Sequence, residues 1–401
     1  MANTRATTLT MGNVMDLDHV TEKATEQGQA QDLRFAASSM KGWRVSMEDC
    51  HTLCGSIPIT AQRMVLADHS LFAVYDGHGG NLTSAFAGGT FVKYLSRRPE
   101  MTQYLALPKV GSKGRGDVTG IELLKHALKG TFDDLDRELR RIQNIRNVEL
   151  QVDPTDPDTK QKTERSGSTI CVVVVTPTHI ICANAGDSRA ILKRGKRILP
   201  LSFDHKPSNL PESERIFAAG GYVKMKRVDG DLAVSRGLGD FSFKSQPDLA
   251  TKKQKVICSP DFIVYPRDEK NDEFMVLACD GVWDVASNEQ CGSMVQTILN
   301  EGENNIGSVC EEVLDMCLEK NSRDNMTIVT VFFPAVKMSR DRVASNAVAK
   351  RRTARRQRIL EIQAKQAAQN AAQKVGIDIG IEDETKLSGS KKQRHAVVPA
   401  N

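Results

Sequence analysis

The sequence predicts an α+β fold in which the strands pair mainly antiparallel, and two observations support this prediction. Apolar runs of strand length alternate with turns from about Arg34 to Phe333 of the 401-residue chain. Residues 169–175 and 180–184 are two such runs, and only a short turn containing Pro177 separates them. Because a parallel pair needs a crossover of roughly a dozen residues or more, this spacing indicates a hairpin.

The individual elements follow from apolar periodicity and from the residues that start and stop helices. Strands are predicted at residues 34–39, 63–66, 70–75, 169–175, 180–184, 190–193, 261–265, 273–279 and 326–333. Helices are predicted at residues 80–95, 120–144, 211–218, 288–300 and 306–320. The third helix begins with Pro211 and stops before Gly220, which matches helix start and stop chemistry. Residues 111–116 and 153–165 are polar and interrupted by Gly or Pro, so they are predicted as loops.

Composition divides the chain into three parts. Residues 1–32 are rich in Thr, Gln and Asn and predict a flexible N-terminal segment, whereas residues 33–334 form the main domain. Residues 335–401 are predicted to be a basic, helical C-terminal extension, because Arg, Ala, Gln and Lys dominate its first half. From Val336 to Lys374 there are eleven basic and two acidic residues, although the net charge of the whole chain is only +5. Apolar positions are sparse in this helix, so it needs the main domain or a partner to pack against.

Several classes of protein are disfavoured by composition. No apolar run approaches the ~18 residues of a membrane span, and residues 1–32 lack the apolar core of a secretory signal, so we expect no membrane association. The nine cysteines are an odd number and include no Cys-x-x-Cys pair. They indicate a reducing compartment, cytoplasmic and/or nuclear, and no zinc site.

Five short acidic motifs are the most informative feature of the chain. They are MED (residues 47–49), DGHGG (76–80), GDSR (186–189), DGVWD (280–284) and RDN (323–325). Three of them closely follow apolar runs and one precedes such a run, which delivers several carboxylates to the margins of strands. Clustered carboxylates are unfavourable unless cations compensate them, and ligands that are all oxygen atoms suit Mg²⁺ or Mn²⁺. One Asp-Gly alone would be an ordinary turn, but the five motifs together predict a site for several metal ions.

The acidic motifs belong to a longer series that resembles one known family. The series is GWRVSMEDCH (42–51), VYDGHGG (74–80), SGST (166–169), NAGDSR (184–189), DHKP (204–207), LAVSRGLGD (232–240), ACDGVWD (278–284) and SRDNMT (322–327). In content and order it resembles the type 2C metal-dependent (PPM family) serine/threonine protein phosphatases, over residues 34–333. The resemblance implies a central antiparallel β-sandwich flanked on both sides by α-helices, a four-layer αββα arrangement. It also implies hydrolysis of phosphoserine and phosphothreonine in proteins, by direct attack of a water or hydroxide that bridges two metal ions.

The resemblance implies ligands for two Mg²⁺ or Mn²⁺ ions and for a weaker third ion. The positions that would hold them are Glu48, Asp76, the carbonyl of Gly77, Asp187, Asp280, Asp284 and Asp324. Asp76 would bridge the first two ions, and Asp187 and Asp284 would serve the third together with Asp280.

Three further residues receive roles from the same resemblance. Arg44 would bind the substrate phosphate, because a planar guanidinium matches two phosphate oxygens. His78 would protonate the leaving oxygen, since an alkoxide leaves poorly without a proton. Asp49 would orient the attacking water.

Other interpretations of these residues stay open. Arg44 and Glu48 could form a surface ion pair, and His78 could hydrogen-bond locally within its turn. The DHKP motif at 204–207 is predicted to end a strand and position a mobile flap rather than to take part in chemistry. Asp240 is predicted to be structural and to anchor the loop after residue 236.

Two hypotheses follow for the chain as a whole. The preferred one is an active phosphatase whose partners are phosphorylated protein substrates, with no nucleic acid expected for the catalytic domain. The other is a binding or scaffold protein that holds phosphorylated partners without turnover. The basic run at residues 350–358 could be a nuclear address, a docking arm for acidic partners or a solvated helix face, and it lacks the interleaved aromatic residues of single-strand binders.

Overall fold

The computed structural model describes residues 21–109, 114–150, 163–338 and 343–375. In these ranges the strands, numbered in chain order, are β1 (Lys23–Ala30), β2 (Leu33–Met40), β3 (Cys50–Cys54), β4 (Ile57–Ile59), β5 (Met64–Leu66), β6 (Ser70–Tyr75), β7 (Gly77–His78), β8 (Gly167–Ser168), β9 (Ile170–Val175), β10 (His179–Ala185), β11 (Arg189–Arg194), β12 (Arg197–Pro200), β13 (Val223–Lys224), β14 (Arg227–Val228), β15 (Leu238–Gly239), β16 (Asp261–Pro266), β17 (Asp272–Ala278) and β18 (Met326–Phe332). The helices are α1 (Leu82–Leu95), α2 (Pro99–Ala106), α3 (Val118–Glu149), α4 (Leu210–Ala218), α5 (Asp280–Trp283), α6 (Asn288–Asn300), α7 (Ile306–Glu319) and α8 (Val343–Val375).

Parts of three predicted segments lie outside the described residues. These parts are residues 1–20 of the N-terminal segment, 111–113 and 153–162 of the two loops, and 339–342 and 376–401 of the C-terminal extension. None of the helices in the described ranges is both long and apolar enough to cross a membrane.

Two large antiparallel sheets contain most of the strands. One has the order β1-β2-β18-β17-β11-β12 and the other has the order β16-β10-β9-β6-β3. Neighbours in both sheets run antiparallel, including the predicted hairpin β9–β10. The prediction of an α+β fold with antiparallel pairing is therefore confirmed.

Buried side chains on alternate positions of the central strands join different clusters. Phe72 on β6 and Met275 on β17 belong to one cluster, to which both large sheets contribute. Their neighbours point the other way: Ala73 packs with residues of α1 and α3, and Val276 packs with residues of α6 and α7. Because successive side chains of a strand face opposite sides, strands buried on both faces read as uninterrupted apolar runs. This double burial is why the strand predictions from apolar runs agree closely with the observed bounds.

Strand β1 corrects the prediction of a flexible segment at residues 1–32. Residues 23–30 pair with β2 along its whole length, from Lys23 opposite Met40 to Ala30 opposite Leu33. Side chains of β1 are exposed or half-buried, so the strand is held by backbone hydrogen bonds at a sheet edge rather than by a core face. Its polar sequence has no alternation of apolar and polar residues, so the sequence does not predict this strand.

A small three-stranded sheet has the order β15-β8-β7, and its strand β7 lies within the DGHGG motif. His78 on β7 is opposite Gly167 on β8, and Gly167 is in turn opposite Gly239 on β15. Strands of two residues give no periodic signal, so the sequence did not predict this sheet. It nevertheless brings the chain around His78 and the chain around Asp240 to adjacent positions.

The chain divides into two compact units, one that ends at Ile359 and one that begins at Leu360. Within the first unit, Arg351, Arg352 and Arg355 of α8 all contact the buried carboxylate of Glu312 on α7, at 2.8–3.0 Å. These arginines therefore do not form the solvated face that was one interpretation of the basic run. Ile359 is buried in the cluster that also includes residues of α6 and α7.

Candidate metal centre

A cleft of about 960 Å³ gathers residues that lie at the ends of strands from both large sheets. Among the predicted site residues, those that line it are Arg44, Glu48, Asp76, Gly77, His78, Asp187, Asp280, Asp284 and Asp324. Asp76 follows β6 of one sheet, whereas Asp280 follows β17 and Asp324 precedes β18 of the other. The packing of the two sheets thus brings together carboxylates that are far apart in the chain.

Three carboxylates form the centre of the cleft. One oxygen each from Asp76, Asp187 and Asp280 lie within 4.8 Å of one another. Burial and then the neighbouring carboxylates raise the pKa of Asp280 to about 8, and the same two causes raise the pKa of Asp76 well above its usual range. The backbone N–H of Asp280 points at an oxygen of Asp76 over 3.4 Å, which is little compensation. A divalent cation would relieve this repulsion, so the geometry and the oxygen ligands fit a metal ion.

Asp49 is a second buried carboxylate beside Asp76. Both of its carboxylate oxygens are buried and have no well-aligned hydrogen-bond partner in the described part of the chain, although the side chains of Thr327 and Cys279 are near enough to lower its pKa somewhat. One of them belongs to a second group, with Asp76 and Cys279, whose ligand atoms lie within 4.8 Å of one another. Burial raises the pKa of Asp49 to about 6. A buried carboxylate with so little hydrogen bonding is costly, and its closeness to Asp76 makes Asp49 a candidate cation ligand in addition to its predicted role.

Glu48 and Gly77 are held against each other. A side chain at Gly77 would place its Cβ 2.2 Å from the carbonyl oxygen of Glu48, so only glycine allows this approach. The Glu48 carboxylate accepts hydrogen bonds from the Gly80 N–H at 3.1 Å and from the Ser46 hydroxyl at 2.7 Å. The Glu48 N–H donates to the side chain of Asn325 at 2.8 Å, which ties this loop to the start of β18.

Arg44 is paired with Asp324 rather than with Glu48. Its Nη2 lies 2.6 Å from Asp324 Oδ2, and the Arg44 side chain is 59% exposed. The alternative of an Arg44–Glu48 surface pair is therefore not what the structure contains. Because the guanidinium is exposed at the cleft, it can reach an anion that enters from solvent.

Lys206 lines the cleft, although the sequence predicted only a flap-positioning role for its DHKP motif. Its ammonium group forms an ion pair with the buried Asp187 carboxylate. Although burial alone would lower the pKa of Lys206, the Asp187 charge raises it. Asp284 also lines the cleft. The residue is exposed overall, but its carboxylate is partly shielded from water, and this shielding together with nearby acids raises its pKa despite Lys206. Asp187 and Lys206 are 19 residues apart with no periodic relation, so no local pattern could have connected them.

His78 binds Asp240, a contact that the sequence did not predict for that aspartate. The imidazole Nε2 lies 2.9 and 3.0 Å from the two carboxylate oxygens of Asp240. Burial would lower the pKa of His78, but the Asp240 charge outweighs it and raises the pKa. Arg236, which precedes the loop containing Asp240, binds Glu212 at 2.6 Å. His78 is therefore not limited to hydrogen bonds within its own turn.

Comparison with known proteins agrees with this geometry. The family model described as protein phosphatase 2C matches residues 33–326. The chain is 36% identical over 338 residues to protein phosphatase 1A of Homo sapiens, which covers 84% of this chain and 80% of that protein. It is 40% identical over 313 residues to protein phosphatase 1B of Rattus norvegicus, covering 78% of this chain and 73% of that protein. A solved serine-threonine phosphatase 2C from Toxoplasma gondii is similar in fold, with a TM-score of 0.60 at 23% identity over 78% of this chain and 100% of that chain.

Proposed function

The chain belongs to the protein phosphatase 2C family, and we propose that its acidic cleft binds two Mg²⁺ or Mn²⁺ ions and a weaker third ion to hydrolyse phosphoserine and phosphothreonine. As a member of this family the protein is a metal-dependent protein phosphatase, and its substrates are phosphoproteins. The observation that carries the proposal is the convergence of Asp76, Asp187 and Asp280 on one point in the cleft, with raised pKa values at Asp76 and Asp280.

The proposed ligands are the seven predicted from the sequence, with Asp49 close enough to join them. They are Glu48, Asp76, the Gly77 carbonyl, Asp187, Asp280, Asp284 and Asp324, all of which line the cleft. When bound, the ions supply positive charge to the transferring phosphoryl group and acidify water to provide the nucleophile. The choice of hard cations is supported by the donor set, since the thiol pKa of Cys279 is raised well above its usual range and leaves carboxylates as the anionic ligands.

Arg44 and His78 would act on the substrate itself. The exposed guanidinium of Arg44 would exchange its pairing with Asp324 for two oxygens of the incoming phosphate, a match of planar fork and oxyanion. His78 would donate a proton to the serine or threonine oxygen as it leaves, because the alkoxide is otherwise a poor leaving group. The Asp240 carboxylate favours the protonated imidazole that this role requires.

We also infer the four-layer αββα arrangement predicted from the resemblance. Its support is the set of three buried clusters, one to which both large sheets contribute and one that joins each sheet to helices. The inter-sheet cluster would be the middle of the sandwich, with α1 and α3 covering one sheet and α6 and α7 covering the other.

The binding or scaffold hypothesis has two forms: the main domain holds phosphorylated partners without turnover, or the basic run at residues 350–358 docks acidic partners. Arg351, Arg352 and Arg355 are engaged by Glu312, so a docking arm for acidic partners would first have to leave this carboxylate. This competition would make tail docking a salt-sensitive event that is separate from the chemistry of the cleft. A nuclear address in this run, and cytoplasmic or nuclear residence, stay predictions.

Hydrolysis of a phosphothreonine peptide tests the proposal. The protein with added Mn²⁺ should release phosphate, excess EDTA should stop it, and Asp76→Asn should lower kcat by about 100-fold or more. The matched control is Asp248→Asn, an acid-to-amide change at an exposed residue that does not line the cleft. Wild-type rates in Asp76→Asn, or turnover that persists in EDTA, would contradict the proposed metal site.

A chain that ends at residue 335 separates the two hypotheses. If the protein acts as an enzyme through its cleft, turnover of a small phosphate ester should stay within about threefold of the full chain, because the tail supplies no cleft residue among those described. If it acts mainly as a basic docking protein, the truncated chain should lose salt-sensitive binding to acidic partners.

A further inference from the structure

We propose that Asp240 is a positioning residue that orients the His78 imidazole, and that a buried ion pair between Asp136 and Lys244 holds Asp240 in place. This inference rests on the proposed role of His78 as the proton donor to the leaving oxygen. Asp136 and Lys244 are not among the residues that line the cleft, and no acidic motif contains them. They would influence the reaction only through Asp240.

The small sheet explains how Asp240 reaches His78. Gly167 on β8 lies between His78 on β7 and Gly239 on β15 in the strand register. A Cβ at Gly167 would lie 2.2–2.4 Å from the carboxylate atoms of Asp240. The absence of a side chain at Gly167 therefore creates the space through which the Asp240 carboxylate crosses to the imidazole.

The contact with Asp240 determines which nitrogen of His78 is available. Both carboxylate oxygens of Asp240 lie within 3.0 Å of Nε2, so this nitrogen carries a proton and donates it to the carboxylate. Nδ1 has no hydrogen-bond partner among the described residues and is the nitrogen that can donate to substrate. The Asp240 side chain is 5% exposed, whereas that of His78 is 33% exposed, so the carboxylate is the enclosed support and the imidazole is the accessible group.

Helix α3 holds the chain on both sides of Asp240. One oxygen of Asp136 accepts hydrogen bonds from the Gly239 N–H at 2.9 Å and from the Lys244 ammonium at 2.6 Å. Lys244 also donates to the carbonyl of Gly237 at 2.9 Å. The side chains of Lys244 and Asp136 are 5% and 14% exposed, so water competes little for either charge.

Backbone strain at Asp240 shows why such support is needed. Asp240 has a φ of 53°, in the left-handed region that residues other than glycine rarely adopt. Arg140 of α3 also contacts this loop. It donates a hydrogen bond to the carbonyl of Lys244 at 3.2 Å, and its guanidinium lies 4.3 Å from the ring centre of Phe241. Without these contacts the loop would relax toward commoner backbone conformations, and the carboxylate would move away from the imidazole.

Two substrates that differ in their leaving group test the inference. A phosphoserine peptide needs a proton on its leaving oxygen, whereas p-nitrophenyl phosphate loses a stable phenolate without one. With Mn²⁺ present, Asp240→Asn, Asp136→Asn and Gly167→Ala should each lower kcat on the peptide by about tenfold or more and change kcat on p-nitrophenyl phosphate by less than about threefold. Gly89→Ala is the matched glycine control, because a Cβ there meets nothing within 4 Å.

A second measurement separates positioning from a general loss of structure. In a His78→Asn background, adding Asp240→Asn should cost less than about twofold further on the peptide, since residues that act as a unit are not additive. Equal losses on both substrates, or additive losses in the double variant, would overturn the inference even if one variant folds poorly. If the wild type hydrolyses neither substrate, the proposed function fails instead, so the two failures are distinguishable.

Discussion

Asp280→Asn should stabilise the metal-free protein while abolishing its activity. In the absence of a cation, Asp280 is surrounded by Asp187, Asp324 and Asp284, and burial with these charges raises its pKa from 3.8 to about 8. Each pKa unit corresponds to about 1.36 kcal/mol, so the proton that Asp280 must take up on folding at pH 7 costs up to about 4 kcal/mol relative to a neutral amide of the same shape. Since Asp76 also has a raised pKa and can take up a proton, we expect a measured gain of about 2–4 kcal/mol.

The pH dependence of this gain gives the sharper test. The folded-state pKa of Asp280 lies above its unfolded value, so its contribution to stability is fully present below about pH 4 and is lost as the pH rises toward 8. The advantage of the Asn variant should therefore shrink to about 1–2 kcal/mol at pH 5. With Mn²⁺ at about 1,000 times the dissociation constant the order should reverse, because the wild type gains about 4.1 kcal/mol and the variant loses a proposed ligand.

Urea denaturation in EDTA at pH 5 and pH 7, followed by tryptophan fluorescence, measures these differences. Asp248→Asn is the control for removing an exposed carboxylate, and we expect its unfolding free energy to stay within about 0.5 kcal/mol of the wild type. An Asp280→Asn variant that is less stable than the wild type in EDTA at pH 7 would refute the repulsion argument. A gain of the same size at both pH values would refute the assignment of the raised pKa.

Three further changes have expected outcomes. Lys206→Met should lower the unfolding free energy of the EDTA-treated protein by about 1–3 kcal/mol, because the buried Asp187 loses its ammonium partner. This effect is opposite in sign to that of Asp280→Asn, and an unchanged urea midpoint would contradict it. Phe91→Ala should cost about 3–5 kcal/mol in urea denaturation, since the ring is fully buried between sheet and helices, and a loss below about 1 kcal/mol would contradict it. Ending the chain at residue 335 should lower the unfolding free energy by about 2–5 kcal/mol, because it removes Ile359 from the buried cluster that includes residues of α6 and α7. An unchanged melting temperature would argue against that packing.

The elements that the sequence predicted well are those with a strong local signal. Helix α6 begins and ends at the predicted residues, and Ser287 and Gln290 form a capping box at its start. Strand β6 occupies the predicted range because all of its side chains are buried. In contrast, α2 has only eight residues, and the polar edge strand β1 depends on a neighbouring strand rather than on its own sequence.

The candidate site divides in the same way. Acidic motifs at strand margins predicted where carboxylates would meet, and the cleft contains nine of the ten predicted residues. Their supporting partners carried no signal, because pairs such as His78 with Asp240 are 162 residues apart. The ion pair of Lys206 with Asp187 likewise carried no signal in the sequence. The DHKP motif that contains Lys206 predicted only a flap.

The sequence by itself determined the chemistry that this protein can perform. Oxygen ligands at the margins of apolar strands, an arginine and a histidine specify hard cations and a phosphate ester, because these properties belong to the side chains themselves. Only the tertiary structure decided how these groups are arranged. It determined which carboxylates lie close enough to raise one another's pKa, and which basic side chain pairs with each acid. It also decided which nitrogen of His78 contacts the Asp240 carboxylate. These depend on distances between chain segments that are remote in sequence, and such distances arise only when the sheets pack.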